Sequence, residues 1–255
     1  MKRARIALIT VWTGTLLLML AQPVSAASTS AELIYDLNER LLIVALPITL
    51  LVEGILIYAV LKFRNNDDPK PTQENRRLEI TWTIATAIVL LFVGFAAFEV
   101  MADPQVSSMA DEEPPDDAVV IEVEGDDAWQ WHFRYQNEYE GVEMTNEMYL
   151  PEDEEVYLQV TAENWLHMVH IPDLGVKQQA QPGVVHTVST TPTETGSYQG
   201  YCTEYCGAGH SGMLFETHVV TGEEFEETMD EELAEAEEDD DTGEEDDDTG
   251  GEDTE

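Results

Sequence analysis

Two stretches of this chain are apolar almost without break, and the hundred residues after them alternate. Residues 41–61 (LLIVALPITLLVEGILIYAVL) and 80–100 (ITWTIATAIVLLFVGFAAFEV) are the continuous runs. At about 1.5 Å per helical residue, each can cross a hydrocarbon core of roughly 30 Å. Pro47 is expected to kink the first span, and Glu53 to face protein or water instead of lipid. Between the spans, Lys62, Arg64, Lys70, Arg76 and Arg77 form a basic loop that belongs on the cytoplasmic side. The pattern predicts a multi-pass, two-helix anchor in the cell membrane, with the C-terminal region held on the extracytoplasmic side.

From residue 119 to 221 the texture changes to short alternating runs broken by turn residues. Strands are predicted near 119–123, 129–135, 143–150, 155–161, 166–171, 184–190, 196–200 and 214–220. Gly125-Asp126-Asp127, Pro151-Glu152-Asp153, Gln181-Pro182-Gly183 and Glu194-Thr195-Gly196 supply the turns. Seven or eight short strands in such a length indicate a Greek-key β-sandwich.

The remaining segments read by composition. Residues 1–26 have a basic start, an apolar run and Val24-Ser25-Ala26, the pattern of a secretory signal peptide with cleavage before Ala27. Residues 27–101 hold the N-terminal segment and the anchor, and 102–118 form an acidic, Pro-containing linker. Residues 222–255 are an acidic tail with little to bury, expected to be disordered apart from a little helix over 222–238.

Charge changes the picture. The formal net charge is −42; nine of the eleven Lys and Arg lie at or before Arg77, and 44 of the 53 acidic residues lie from Asp103 onward. Such a surface repels phosphates, so nucleic acid is excluded as a partner. It has the character of halophilic proteins, whose carboxylates hold water and counterions at high salt.

The candidate chemistry sits in Gly200-Tyr201-Cys202-Thr203-Glu204-Tyr205-Cys206-Gly207-Ala208-Gly209-His210-Ser211-Gly212-Met213. Two thiols, an imidazole and a thioether form a soft ligand set that suits copper better than magnesium or calcium. Thiolates this close can each bridge two metal ions. His167, 35 residues before Cys202 on an earlier predicted strand, is the candidate to close the shell. His170 is three residues further along that strand and points to its other face. A Cys202–Cys206 disulfide would leave His210, Met213 and Glu204 unexplained, and a zinc site would leave Met213 without a purpose. His132, His186 and His218 read as ordinary surface or core histidines.

Leu166-His167, the run at 171–177 (IPDLGVK), Pro182-Gly183 and 202–213 (CTEYCGAGHSGM) together resemble the subunit II family of haem–copper cytochrome c oxidases. The resemblance spans the anchor and the whole β region. It implies a membrane-anchored all-β fold, a two-helix transmembrane hairpin followed by a cupredoxin-like Greek-key β-sandwich. It implies a binuclear CuA centre bridged by Cys202 and Cys206, with His167 and His210 each on one copper. Met213 and the Glu204 carbonyl become weak axial ligands, and the Glu204 carboxylate helps bind Mg²⁺ shared with oxidase subunit I.

Trp129, in the run 129–135 (WQWHFRY), matches the family's electron-entry tryptophan, and Glu79 matches a carboxylate at the mouth of a proton channel. The implied partners are subunit I, a lipid bilayer and a soluble donor, either cytochrome c or a small blue copper protein. The implied function is electron transfer from that donor to haem in subunit I, where oxygen becomes water. A nitrous oxide reductase-like CuA protein is an alternative that the two-helix anchor disfavours. A copper-binding module or metallochaperone is another, disfavoured by a closed ligand shell. Two departures stand out. Asn164-Trp165 replaces an acidic and a small apolar residue ahead of Leu166-His167, and Ala128 replaces a Gln before Trp129.

Overall fold

The two apolar runs are helices in the computed structural model, which describes residues 26–71, 73–103, 105–107, 114–115 and 118–243, with 237–243 as backbone alone. The leader expected over 1–26 lies outside these, except Ala26. Helix α1 (Thr29–Phe63) and helix α2 (Arg76–Met101) extend beyond the apolar runs at their ends. Both are long and apolar enough to cross a membrane, and the apolar window of each is uncovered by the rest of the chain. Pro47 is inside α1. Ser28 caps α1 by accepting the Ala31 N–H at 3.1 Å, and Asn75 caps α2 by accepting that of Leu78.

The entry to α1 is stitched to the β region. Ala27 N–H donates to the Asp173 carbonyl at 2.9 Å, and Thr193 N–H donates to the Ala27 carbonyl at 2.8 Å. The Ser28 hydroxyl donates to the Leu174 carbonyl at 2.8 Å. Ala27, Ser28, Ser30 and Ala31 are all buried there.

The β region has ten strands: β1 (Val119–Gly125), β2 (Trp131–Tyr135), β3 (Glu143–Thr145), β4 (Glu147–Pro151), β5 (Val156–Ala162), β6 (His167–Ile171), β7 (Val176–Ala180), β8 (His186–Thr190), β9 (Gly196–Cys202) and β10 (Leu214–Val220). They form two five-stranded sheets, ordered β3-β2-β1-β5-β8 and β4-β10-β9-β6-β7. Pairing is antiparallel except for β1 with β5 and β4 with β10. The inner faces meet in a core of Ile121, Val123, Phe133, Leu150, Leu158 and Ile171, all fully buried. Phe215 links the sheets, its ring 5.8 Å from Trp131 and 5.1 Å from Phe133. Each such buried side chain contributes about 1.5–3 kcal/mol relative to exposure.

Four elements differ from the sequence expectation, and one of them is β7 (Val176–Ala180), where no strand was predicted. The single strand predicted at 143–150 is two strands in different sheets, divided at Asn146. Asn146 takes a φ of 59°, and its side chain and N–H bind the Trp131 N–H and carbonyl at 2.9 and 2.8 Å. The strand expected from Trp129 starts at Trp131, because Trp129 occupies a turn with φ 61°.

The little helix expected over 222–238 is helix α3 (Gly222–Gly243), longer than expected. Phe225 and Met229 are buried and Leu233 packs against the core, an i, i+4, i+8 apolar stripe that anchors an otherwise acidic helix. Phe225 meets the rings of Tyr139 at 5.5 Å and Tyr135 at 6.3 Å.

Candidate metal centre

Strand register brings the distant histidine to the cysteine loop. Strands β6 and β9 pair antiparallel with Val169 opposite Cys202. His167 is two residues from Val169 and therefore shares its inward face with Cys202. His170 falls on the other face, where its Nδ1 hydrogen-bonds the Val176 carbonyl at 2.9 Å. Beyond β9 the chain folds back on itself. Cys202 N–H donates to the Met213 carbonyl at 3.0 Å, and Thr203 N–H donates to the Met168 carbonyl at 2.9 Å. A single 3₁₀ turn, His210–Gly212, returns the chain to β10.

Five soft or neutral side-chain donors and one carbonyl converge inside this fold. Cys202 and Cys206 are free thiols with Sγ atoms 3.9 Å apart. Disulfide sulfurs lie about 2.05 Å apart. A span of 3.9 Å is less than two metal–sulfur bonds of about 2.3 Å, so one ion can touch both sulfurs. His167 Nδ1 is 4.0 Å from Cys202 Sγ, which also donates to the Glu204 carbonyl at 3.2 Å. On the other side, Cys206 Sγ is 3.5 Å from His210 Nδ1 and 3.8 Å from Met213 Sδ. Each thiol thus has its own imidazole. His167, Cys202 and Cys206 have ligand atoms within 4.8 Å of one another and are buried. The Glu204 carboxylate belongs to a partly exposed residue outside this cluster.

Electrostatics favour a metal over protons at His167. Burial holds its pKa below the usual imidazole range; Asp126 opposes that effect and His210 adds to it. A neutral ring can bind through Nδ1, and its Nε2 is buried with no hydrogen-bond partner in the structure. Gly125 allows this ring its place, since a Cβ there would come within 3.0 Å of His167 Cδ2 and 3.3 Å of Met213 Cε. At Cys206, burial and then the neighbouring Cys202 thiol push the pKa up to about 12. A metal must therefore displace that proton. The donor set, with two free thiols 3.9 Å apart, fits a thiophilic metal.

Trp129 lies against this centre. Its indole Nε1 donates to the Cys206 carbonyl at 3.1 Å. The ring packs flat over the loop at Gly209, where a Cβ would collide with the indole; Gly209 serves close approach instead of an unusual φ. Trp129 is half-buried and lines a concavity of about 510 Å³ together with Asp127, Trp165, Leu166, Tyr205, Cys206 and Gly207. Trp165 and Tyr205 are 56% and 77% exposed there. The sequence points to an apolar patch around Trp129 but does not name Trp165 and Tyr205 as its rim, although Trp165 directly precedes the Leu166-His167 pair. Glu79 is remote in kind: it sits exposed in the first turn of α2, where a carboxylate favours the helix N-terminus.

One further cluster was not foreseen. On the outer face of β1, β2 and β3, Arg134 is held by Glu124 at 2.7 Å, Glu122 at 2.9 Å and Glu143 at 3.2 Å. These carboxylates, Glu124 foremost, raise the Arg134 pKa against a smaller opposing effect of burial. His132 joins it, with Nε2 3.1 Å from Asp126 and Nδ1 3.1 Å from Glu143. The Asp126 pKa is lowered: burial opposes this, but the Gln130 N–H and His132 outweigh it.

Comparison with known proteins covers both halves of the chain. The family model described as cytochrome C oxidase subunit II, transmembrane domain, matches residues 15–100. The model of the periplasmic domain of the same subunit matches residues 132–220. A probable cytochrome c oxidase subunit 2 of Rickettsia bellii is 29% identical over 221 residues, covering 78% of this chain and 79% of that one. Cytochrome c oxidase subunit 2 of Alkalihalophilus pseudofirmus is 31% identical over 223 residues, covering 83% of this chain and 62% of its own length. The solved periplasmic domain of subunit II of cytochrome oxidase from Bradyrhizobium japonicum is 26% identical. It covers 48% of this chain and 97% of that domain, with a TM-score of 0.45.

Proposed function

The chain belongs to the cytochrome c oxidase subunit II family, and from that premise we propose that the thiol–imidazole cluster is a binuclear CuA centre. The protein is a subunit of the terminal haem–copper oxidase, an oxidoreductase of the membrane. It accepts electrons from a soluble one-electron carrier and passes them to haem in subunit I, where oxygen is reduced to water. The observation that carries the copper assignment is the pair of free thiols 3.9 Å apart, with one imidazole Nδ1 beside each.

In this reading Cys202 and Cys206 would be the thiolates shared by the two coppers, His167 and His210 would each hold one copper, and Met213 and the Glu204 carbonyl would be weaker donors. Bound there, copper would supply one-electron redox chemistry. The protein's part is to keep the donors fixed. Strand register fixes His167 and Cys202, and the backbone bond from Cys202 to Met213 closes the loop. Burial keeps solvent from the sulfurs. The carboxylate of the partly exposed Glu204, a hard oxygen donor, is assigned to Mg²⁺ shared with subunit I.

Trp129 is assigned the entry of electrons, supported by its hydrogen bond to the carbonyl of Cys206. Docking of the donor, a cytochrome c or a small blue copper protein, is assigned to the apolar rim around it. The basic loop containing Lys62, Arg64, Lys70, Arg76 and Arg77 supports a cytoplasmic helix connection, with the β domain outside. Glu79, at the start of α2, is assigned the mouth of a proton channel in subunit I. The leader is read as cleaved before Ala27, and the acidic surface as an adaptation to salt.

Metal analysis of the purified full-length chain tests the centre. Two coppers per chain, falling to none or one in Cys206→Ser, agree with the assignment. One copper per chain in the unaltered protein contradicts it.

A further inference from the structure

We propose that Asp126 is a positioning residue for electron entry, holding Trp129 in the conformation that places its indole on the copper loop. The inference rests on the assignment of electron entry to Trp129.

Trp129 sits at φ 61°, a left-handed conformation that a bulky side chain rarely adopts unless its surroundings enforce it. The enforcement is visible and runs through one carboxylate. Asp126 N–H donates to the Gln130 carbonyl at 3.1 Å, and Gln130 N–H donates back to Asp126 Oδ1 at 2.7 Å. These two bonds close a ring over residues 126–130 in which Trp129 has no freedom to turn outward. The second oxygen, Oδ2, is 3.1 Å from His132 Nε2 on β2, and His132 Nδ1 is 3.1 Å from Glu143 on β3. The carboxylate therefore ties the turn to two strands of the sheet.

Asp126 touches neither thiol and acts on His167 through its charge; its positioning effect passes through Trp129, whose Nε1 then reaches the Cys206 carbonyl at 3.1 Å. If the clasp is lost, Trp129 is free to relax toward negative φ and swing its indole off the loop at Gly209. Electron entry depends on that contact, whereas copper binding does not.

The test uses the assembled oxidase with reduced cytochrome c as donor. Asp126→Ala is expected to lower kcat/KM about tenfold, chiefly through kcat, since misplacing a functional group by about 1 Å costs that order or more. Copper content and the copper absorption spectrum stay unchanged. Asp126→Asn keeps an acceptor for the Gln130 N–H and recovers most of the rate. Hydrogen exchange of the amides at 126–130, followed by mass spectrometry, rises in the Ala variant and not in the Asn variant.

Trp129→Phe in the same assay separates the two claims. A slow Trp129→Phe enzyme beside an unimpaired Asp126→Ala enzyme overturns the positioning role alone. An unimpaired Trp129→Phe enzyme overturns the entry assignment and the inference together. Loss of copper from Asp126→Ala overturns it too, by making Asp126 part of the metal fold. Should the Ala variant fail to assemble, Asp126→Glu, which overreaches the Gln130 N–H by one methylene, must show the same fall in kcat/KM or the proposal is wrong.

Discussion

His167 presents Nδ1 toward Cys202 Sγ, 4.0 Å away, while its Nε2 is buried without a hydrogen-bond partner in the structure. A buried ring in that position is held neutral, and the thiol of Cys206 beyond it is held protonated. Both facts bear on the metal-free fold.

The first prediction is a two-sided pH window for the metal-free protein. The folded His167 pKa is lowered from 6.5, so the unfolded chain protonates first as pH falls, and stability drops below about pH 6.5. The folded Cys206 pKa is raised from 9.0 to about 12, so the unfolded chain ionises first as pH rises, and stability drops from 9.0 upward. Denaturation midpoints measured across pH should peak between these limits, and copper should flatten both flanks. A metal-free protein equally stable at pH 5 and pH 7 would remove the His167 half of the argument.

A second prediction concerns the bond between sheets at Tyr135. Its buried hydroxyl donates to the Tyr149 carbonyl at 2.8 Å and accepts the Tyr149 N–H at 2.8 Å. Tyr135→Phe leaves both backbone groups unpaired, at a cost of about 1–3 kcal/mol. Chemical denaturation of the variant measures it directly, and an unshifted midpoint would show that the pair contributes nothing.

How much of this was legible beforehand depends on whether the cause was local. Cys202, Cys206, His210 and Met213 lie within one loop, so their spacing announced a ligand set, and strand alternation pointed His167 inward and His170 away. The division of 143–150 at Asn146 was hidden, because it depends on a bond to Trp131 on the neighbouring strand, 15 residues away. The turn at Trp129 has a local cause, the Asp126–Gln130 ring, but the alternation of 129–135 masked it by reading Trp129 as strand. The Phe225, Met229 and Leu233 stripe was readable at helical spacing, but the acidic residues around it drew attention to charge instead of packing.

Trp165 supplies the third prediction. It is 56% exposed on the rim that also holds Trp129 and Tyr205, an apolar surface on a strongly acidic protein. Interface aromatics are the usual carriers of binding energy, so Trp165→Val should raise KM for the donor about tenfold. Turnover at saturation should hold. A changed kcat with unchanged KM would mean that Trp165 serves the centre and not the docking.

Salt provides the fourth. A net charge of −42 opposes compaction in dilute buffer, and the Debye length shrinks to about 3 Å at molar salt. The melting temperature should climb from dilute to molar potassium chloride. A flat response would separate the acidic composition from any role in stability.

The proposed electron path requires two thiols holding two coppers as one unit, and electron paramagnetic resonance of the copper-loaded, partly oxidised chain tests that unit without an assay. One unpaired electron should show hyperfine coupling to two equivalent copper nuclei, and the pattern should be lost when Cys202 or Cys206 becomes Ser. A spectrum of one isolated copper in the unaltered protein would contradict the binuclear assignment.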